Sequence, residues 1–475
     1  MCTSEGCGDG TVKRTACARR VLFTRLFIAL LVSAVCGVAG AARSAGVSEV
    51  TAYALEQFGQ PPAVPLGPLN SDVFGAVDRL LAHSLDPSDD AAKEAAILRN
   101  VRDSADPRIA WLIADIMRFS WRKDYYAALA ETARALLDIE FESVFVRDEI
   151  TDHLIAWKVP AYPDYLAHKR AVFTRYVQGW DDLFVAGDID WQFVSWGGVN
   201  IDNRPYGETD EPCTCIPAVD NPAVSTAAEA DWLDTDDIVF GVSVNGEHRA
   251  YPRRIMEVRE MVNDTLGGRH LGIPYCSLCG AAQAYFTDTM PEGVERPVLR
   301  TSGLLLRSNK VMFDVNTNSL FDTFKGKAVT GPLAEARVAL TPVRVVTTDW
   351  GSWRDAHPDT TVLKEELALG RDYDLRNTRD ARGPIFSIGD VDPRLPTLED
   401  VIGAFAPDGT PVAFPRIAAY LALKNGEPVK LGGVQLQLDA GGVLAVDAEG
   451  ADLVSHQAYW FAWSQFYPGS LLWSR

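Results

Sequence analysis

Positive charge is scarce in this sequence: 45 lysines and arginines stand against 64 acidic residues, a formal net charge of −19. Such a chain repels nucleic acid and anionic lipid at long range, so nucleic-acid binding is excluded as a function class. There is no glycine-rich nucleotide loop, no His-Glu-x-x-His helix and no nucleophile elbow, which disfavours the common dehydrogenases and hydrolases. Histidine is rare, with seven in 475 residues, and His83, His153 and His168 are lone histidines in the sequence. Apolar residues nevertheless make up 47% of the chain and aromatics 10%, enough for two or three cored domains.

The N-terminus is set apart by its order of residues. Lys13, Arg14, Arg19, Arg20 and Arg25 precede the apolar run "LFIALLVSAV" and then the small residues "GVAGAARSAG". That layout predicts a secretory leader over 1–41, cut after Ala41, and a periplasmic or secreted location. The alternative is retention as a membrane anchor, because Leu26 to Ala42 reaches the lower end of a spanning helix. Cys2, Cys7, Cys17 and Cys36 fall in this segment, so four cysteines remain: Cys213, Cys215, Cys276 and Cys279.

After a linker over 42–70, the stretches "DAAKEAAILRNVRDS", "DPRIAWLIADIMRFS" and "DYYAALAETARALLDIEF" repeat apolar residues at three- and four-residue spacing. Residues 71–186 therefore read as a helical scaffold domain of HEAT- or armadillo-like stacking, suited to docking a protein partner. Residues 187–230 turn to Trp, Gly, Asn and Pro, an irregular entry segment. From 231 to 475 the period approaches two. "DIVFGVSVNGEHRAYP" is a hairpin turning at Asn245-Gly246, "RRIMEVREMVNDTL" a helix ending at Gly267-Gly268, and "LGGVQLQLDAGGVLAVD" a second hairpin. The fold class is thus α+β, an all-α domain followed by a β-rich one.

Within the β-rich part, Gly246-x3-Ala250-Tyr251-Pro252-Arg253 matches Gly409-x3-Ala413-Phe414-Pro415-Arg416, and Trp350-x2-Trp353 matches Trp460-x2-Trp463. This points to an internal pseudo-duplication in which only the first copy carries cysteine.

Together "IPAVDNP", "HRAYPRRI", "EMVND", "YCSLCGAA", "TSGLLLRSNKVMFD", "GKAVTG" and "WGSWRDAHPDT", in this order, make Gly187 to Arg475 resemble the family catalogued as domain of unknown function 3179 (DUF3179). The resemblance implies an extracytoplasmic module marked by its cysteine pair and implies no activity. Many relatives have histidine where this chain has Arg259. If that histidine ligates a metal, His270, six residues before Cys276, is the substitute here.

The cysteines admit three readings. Cys-x-x-Cys at a strand end is half of a tetrahedral metal site, and Cys-x-Cys in extended chain puts two thiols ~6.6 Å apart on one face. A four-sulfur site would select Zn²⁺ or Cu⁺, with an iron-sulfur cluster the weaker candidate. Disulfides are the second reading. A Cys213–Cys215 bridge is expected to be strained, so crosslinks to Cys276 and Cys279 are favoured, closing loops of about 60 residues for ~4 kcal/mol. In the third, Cys276 attacks and Cys279 resolves in thiol exchange. Arg249, Tyr251, Glu260, Asn263, Asp264, Ser302, Asn309 and Asp314 are the candidate pocket residues, and helix caps, turns and ion pairs are their structural alternative.

Overall fold

The computed structural model describes residues 50–87, 90–209, 213–365 and 384–475. The leader expected over 1–41 lies outside the described residues, and no helix among those described is long and apolar enough to cross a membrane. Among the described residues seven α-helices come first: α1 (Ala52–Phe58), α2 (Ser71–Leu85), α3 (Ala91–Asp103), α4 (Ala110–Phe119), α5 (Lys123–Leu137), α6 (Val146–Ala156) and α7 (Tyr165–Tyr176). Asp106 caps the single 3-10 turn Pro107–Ile109 that leads into α4, its carboxylate accepting the Arg108 N–H at 3.1 Å beside Pro107.

The helices do not support a HEAT- or armadillo-like stack. In such a stack each unit touches only its neighbours, whereas α4 packs on α5, α6 and α7 at once and α2 also meets α7. The cause lies in the composition of α4: nine of its ten residues are buried, so it needs partners on every side. Even Asp115 is covered, held by Lys169 Nζ at 2.7 Å and the Tyr165 hydroxyl at 2.6 Å. The helical core continues into Val194, Leu304, Val311 and Phe313 of the following strands, so the two parts share one apolar cluster.

Beyond Gly187 the described residues are β-rich, with five small sheets of four to six strands in a propeller-like, five-bladed arrangement. The Asn245-Gly246 turn joins Ile238–Val244 to Glu247–Pro252, and both turn residues have positive φ, at 50° and 82°, as a tight right-twisted hairpin demands. The helix expected from Arg253 to Gly267 is half as long. α8 (Arg253–Arg259) stops at Glu260, whose φ of 48° makes it a left-handed cap, and Met261–Leu266 is a strand pairing with Arg269–Cys276. Gly267-Gly268 is therefore the turn of a hairpin.

Two of the sheets are built alike. The first flanks the 238–252 hairpin with Val346–Asp349 antiparallel and Thr361–Leu363 parallel. The other flanks Asp400–Phe405 and Pro411–Pro415 with Ser455–Tyr459 antiparallel and Leu471–Leu472 parallel. A short helix follows the antiparallel flank in each, and its second tryptophan lies on a glycine of the first hairpin strand: Trp353 on Gly241, Trp463 on Gly403. Their indole N–H groups donate to Thr360 Oγ1 at 2.9 Å and Ser470 Oγ at 3.0 Å.

Candidate thiol site

Cys276 is the last residue of the Arg269–Cys276 strand, and a four-residue turn brings Cys279 back beside it. The Cys279 N–H donates to the Cys276 carbonyl at 3.1 Å, and Gly280, with φ of 59°, reverses the chain so that Ala281 pairs with Cys276. A side chain at Gly280 would press on the Tyr459 ring, so glycine is needed there for space as well as for φ. Both cysteines are free thiols, 3% and 0% exposed, in one apolar cluster with Val401 of the C-terminal sheet and with Trp460 and Trp463 of the short helix that follows its Ser455–Tyr459 strand.

The turn between strands Leu299–Leu306 and Asn309–Asp314 supplies the other wall. The Ser308 carbonyl lies 3.3 Å from Cys279 Sγ and 3.9 Å from Cys276 Sγ. Two residues on, Lys310 Nζ donates to the Glu260 carbonyl at 2.6 Å and reaches its carboxylate at 3.3 Å, while Ser277 Oγ donates to the same carboxylate at 2.7 Å. Burial pushes the Lys310 ammonium down, and Glu260 and Cys276 bring it only part of the way back, leaving it below the ordinary lysine range. Burial likewise pushes the Cys276 thiol up, and Glu260 adds to this. Hydrogen bonds from the Cys279 thiol and from the Lys310 and Cys279 backbone N–H groups outweigh both, leaving Cys276 below the ordinary thiol range.

Above Cys276 opens a cavity of about 290 Å³, lined by Glu260, Ser277, Ser302 and Lys310 among apolar Leu278, Leu304, Leu305, Val311 and Phe386. Of the sequence candidates, Cys276, Glu260 and Ser302 thus converge. Ser302 Oγ donates to the Val311 carbonyl at 2.5 Å.

The remaining candidates lie elsewhere. Arg249 and the Tyr251 hydroxyl close on Asp264, at 2.6 and 2.7 Å, in a separate buried network. Asn263 bridges Asp220 and the backbone of Leu299. Asp314 closes the Thr317 turn. Asn309 is buried with both ends of its amide unpaired, alternating away from Ser308 and Lys310. His270 is the second residue of the strand that Cys276 ends, ~20 Å off at ~3.3 Å per residue, and its ring faces Thr265. It is therefore no ligand partner of these thiols.

The crosslinks expected between the two cysteine pairs do not form: Cys213 is bridged to Cys215, with Cα atoms 5.1 Å apart. The chain bends there instead of extending, which brings the thiols within a disulfide's normal span. The four sulfurs do not gather into one site either. Among the described residues the group able to hold a metal is Asp202 with Cys213 and Cys215. As a disulfide it offers no thiolate, and Asp202 is occupied by Arg204 at 2.7 Å and by the Ala218 N–H at 2.9 Å. Lys310, Ser277 and Ser308 went unnamed in the sequence. The signal was there, since a lysine inside the apolar strand "NKVMFD" is buried only when paired.

Fold and site together define a mixed α+β protein whose β-rich part holds a buried dithiol beneath an apolar cavity. Residues 213–425 match the family model described as a protein of unknown function, DUF3179, which is the family the quoted stretches resemble. No curated protein and no solved structure matches the chain.

Proposed function

We propose that Cys276 and Cys279 form a thiol–disulfide exchange centre in an exported protein, acting on a disulfide small enough to enter the cavity above Cys276. The observation that carries this reading is the free pair itself, with the Cys276 thiol lowered and lining the cavity, and Cys279 buried behind it. The Cys276 thiolate attacks one sulfur of the substrate disulfide and the other sulfur leaves as a thiolate that takes a proton. Cys279 then gives up its proton and attacks the Cys276 sulfur, expelling the second substrate thiol. The protein ends as the Cys276–Cys279 disulfide and the substrate as two thiols, so two electrons pass from one to the other. Lys310 stabilises the thiolate form of Cys276, and Glu260 holds Lys310 in place. The leader-like 1–41 segment supports the extracytoplasmic setting.

Alkylation across pH, read by peptide mass spectrometry, tests this. Cys276 is expected to react before Cys279, with a midpoint below ~8.5. Equilibration with glutathione mixtures is expected to yield a Cys276–Cys279 disulfide. Failure to form that disulfide at any poise, with both thiols unreactive in folded protein, would overturn the reading.

A soft-metal role is the second reading. It rests on Asp202, Cys213 and Cys215, which present two thiolates and a carboxylate once the disulfide is reduced. Stoichiometric zinc or copper in reduced protein, lost in Cys215→Ser, is its test. The like-built sheets around Gly241–Trp353 and Gly403–Trp463 support descent of the β-rich part from a duplicated unit. Exposed Trp121 and Phe145 on the helical part support its use as a docking scaffold.

A further inference from the structure

Between the helical part and the first strands lies a second, smaller cavity. Arg118 reaches it from α4, Arg147 from α6, and Arg307 from the turn that follows the Leu299–Leu306 strand. We infer that this cavity is a binding site for a small oxyanion, a phosphate, a sulfate or a carboxylate group, held by the guanidinium groups of Arg118, Arg147 and Arg307.

The argument begins with unmatched charge. Asp115 and Asp148 are the acidic residues on the cavity wall. Asp115 is committed to Lys169 and Tyr165, and Asp148 pairs with Arg147. Arg118 donates Nε to the Trp196 carbonyl at 3.2 Å and lies over that indole, with no carboxylate of the described residues in contact. Arg307 has its guanidinium over the Phe193 ring, 4.2 Å from the centroid, and among the described residues makes no hydrogen bond or ion pair through its side chain. Asp190, Asp322 and Asp390 act on Arg307 only from a distance. Asp322 is engaged with Lys325 and Asp390 with Thr51. In a chain of net charge −19, three arginines thus line one small space with one partner carboxylate among the described residues.

That arrangement is costly without a ligand. Burial, with Arg147 nearby, drives Arg118 down to about 10, and burial drives Arg307 down as well. Arg307 also has a φ of 53°, a conformation for which glycine or asparagine is the ordinary choice in a tight strand turn. A long cation kept half-buried at such a position, with no ion-pair partner among the described residues, is accounted for if an anion completes it. Size agrees. The cavity holds about 40 Å³, against ~10–15 Å³ for one water, which is room for an oxyanion head group. Gln192 and Ser195 add neutral donors on the same wall, and the planar forks of arginine match oxyanion geometry two bonds at a time.

The test is titration of the full-length protein with sodium phosphate, sulfate or acetate at constant ionic strength balanced with chloride, followed by calorimetry and by melting temperature. At least one oxyanion is expected to bind saturably and raise the melting temperature where chloride does not. The best of the three identifies the head group. Arg307→Met and Arg118→Gln are each expected to weaken that binding at least tenfold, and having two variants covers the case in which one fails to fold. Equal responses to oxyanion and chloride would overturn the site, as would binding undiminished in a folded variant.

Discussion

Replacing Asp152 by asparagine removes one ionisation and little else. Asp152 lies in α6, and one of its carboxylate oxygens accepts the N–H groups of Ile388 and Gly389, each at 2.7 Å. These bonds tie down the segment whose Phe386 lines both cavities. Burial raises the Asp152 carboxyl to about 7, with Asp148 and Glu149 adding to it, against the two backbone bonds that pull it down. The folded protein therefore keeps a proton on Asp152 from about pH 4 to about pH 7 that the unfolded chain releases. With more protons bound folded than unfolded, stability must fall as pH rises through that window and level off on either side. From an ordinary aspartate near ~3.9 to about 7, at ~1.36 kcal/mol per pH unit, the loss is ~4 kcal/mol. The amide oxygen of Asp152→Asn still accepts both N–H groups and does not titrate. Urea unfolding of both proteins at several values between pH 4 and pH 8 measures the difference. The variant is expected to gain ~4 kcal/mol on the wild type across the range. A difference that stays constant with pH would show that Asp152 is ionised in the fold throughout.

Gly241→Ala and Gly403→Ala each drive a methyl into a tryptophan ring, and a loss of ~1–3 kcal/mol is expected from thermal melts; unchanged melting would mean the indoles have room to move. Lys310→Met removes the cation beside Cys276, so the midpoint of Cys276 alkylation should rise, and a midpoint that stays put would remove Lys310 from the thiol chemistry. Asp264→Ala strands Arg249 and Tyr251 in a buried place, for an expected ~3–5 kcal/mol by denaturant titration; a loss below ~1 kcal/mol would mark that network as dispensable. Reduction of Cys213–Cys215 opens only a three-residue loop, so chain entropy predicts ~1–2 kcal/mol, far below the ~4 kcal/mol of the crosslinks expected from sequence.

What could be read from sequence is what short-range physics dictates. The Asn245-Gly246 hairpin is one such case, because two consecutive positive φ values admit few residue pairs. The helix after Pro252 was overrun because Val258, Met261, Val262 and Leu266 keep helical spacing although the last three belong to a strand. The stop is Glu260 in a left-handed conformation, which its composition does not announce. Pairing of the cysteines depended on a local bend between Cys213 and Cys215, which no periodicity encodes. The thiol site itself was half legible: the two cysteines named themselves, whereas Lys310 and Ser308 reach them only through a strand turn about thirty residues further along the chain.

That strand turn links the two proposed sites. Arg307 points its guanidinium to the small cavity, Ser308 receives both thiols on its carbonyl, and Lys310 stands beside Cys276. The three functions occupy four consecutive residues, and Arg307 is held there at φ of 53°. An anion bound to Arg307 would favour that conformation over its alternatives and so favour the Ser308 carbonyl where both thiols meet it. If the two sites are coupled in this way, the coupling is reciprocal. Phosphate or sulfate should change the rate of Cys276 alkylation, and oxidation of the dithiol should change anion affinity by the same free energy. Sites that are both real but energetically separate would leave each measurement indifferent to the other ligand.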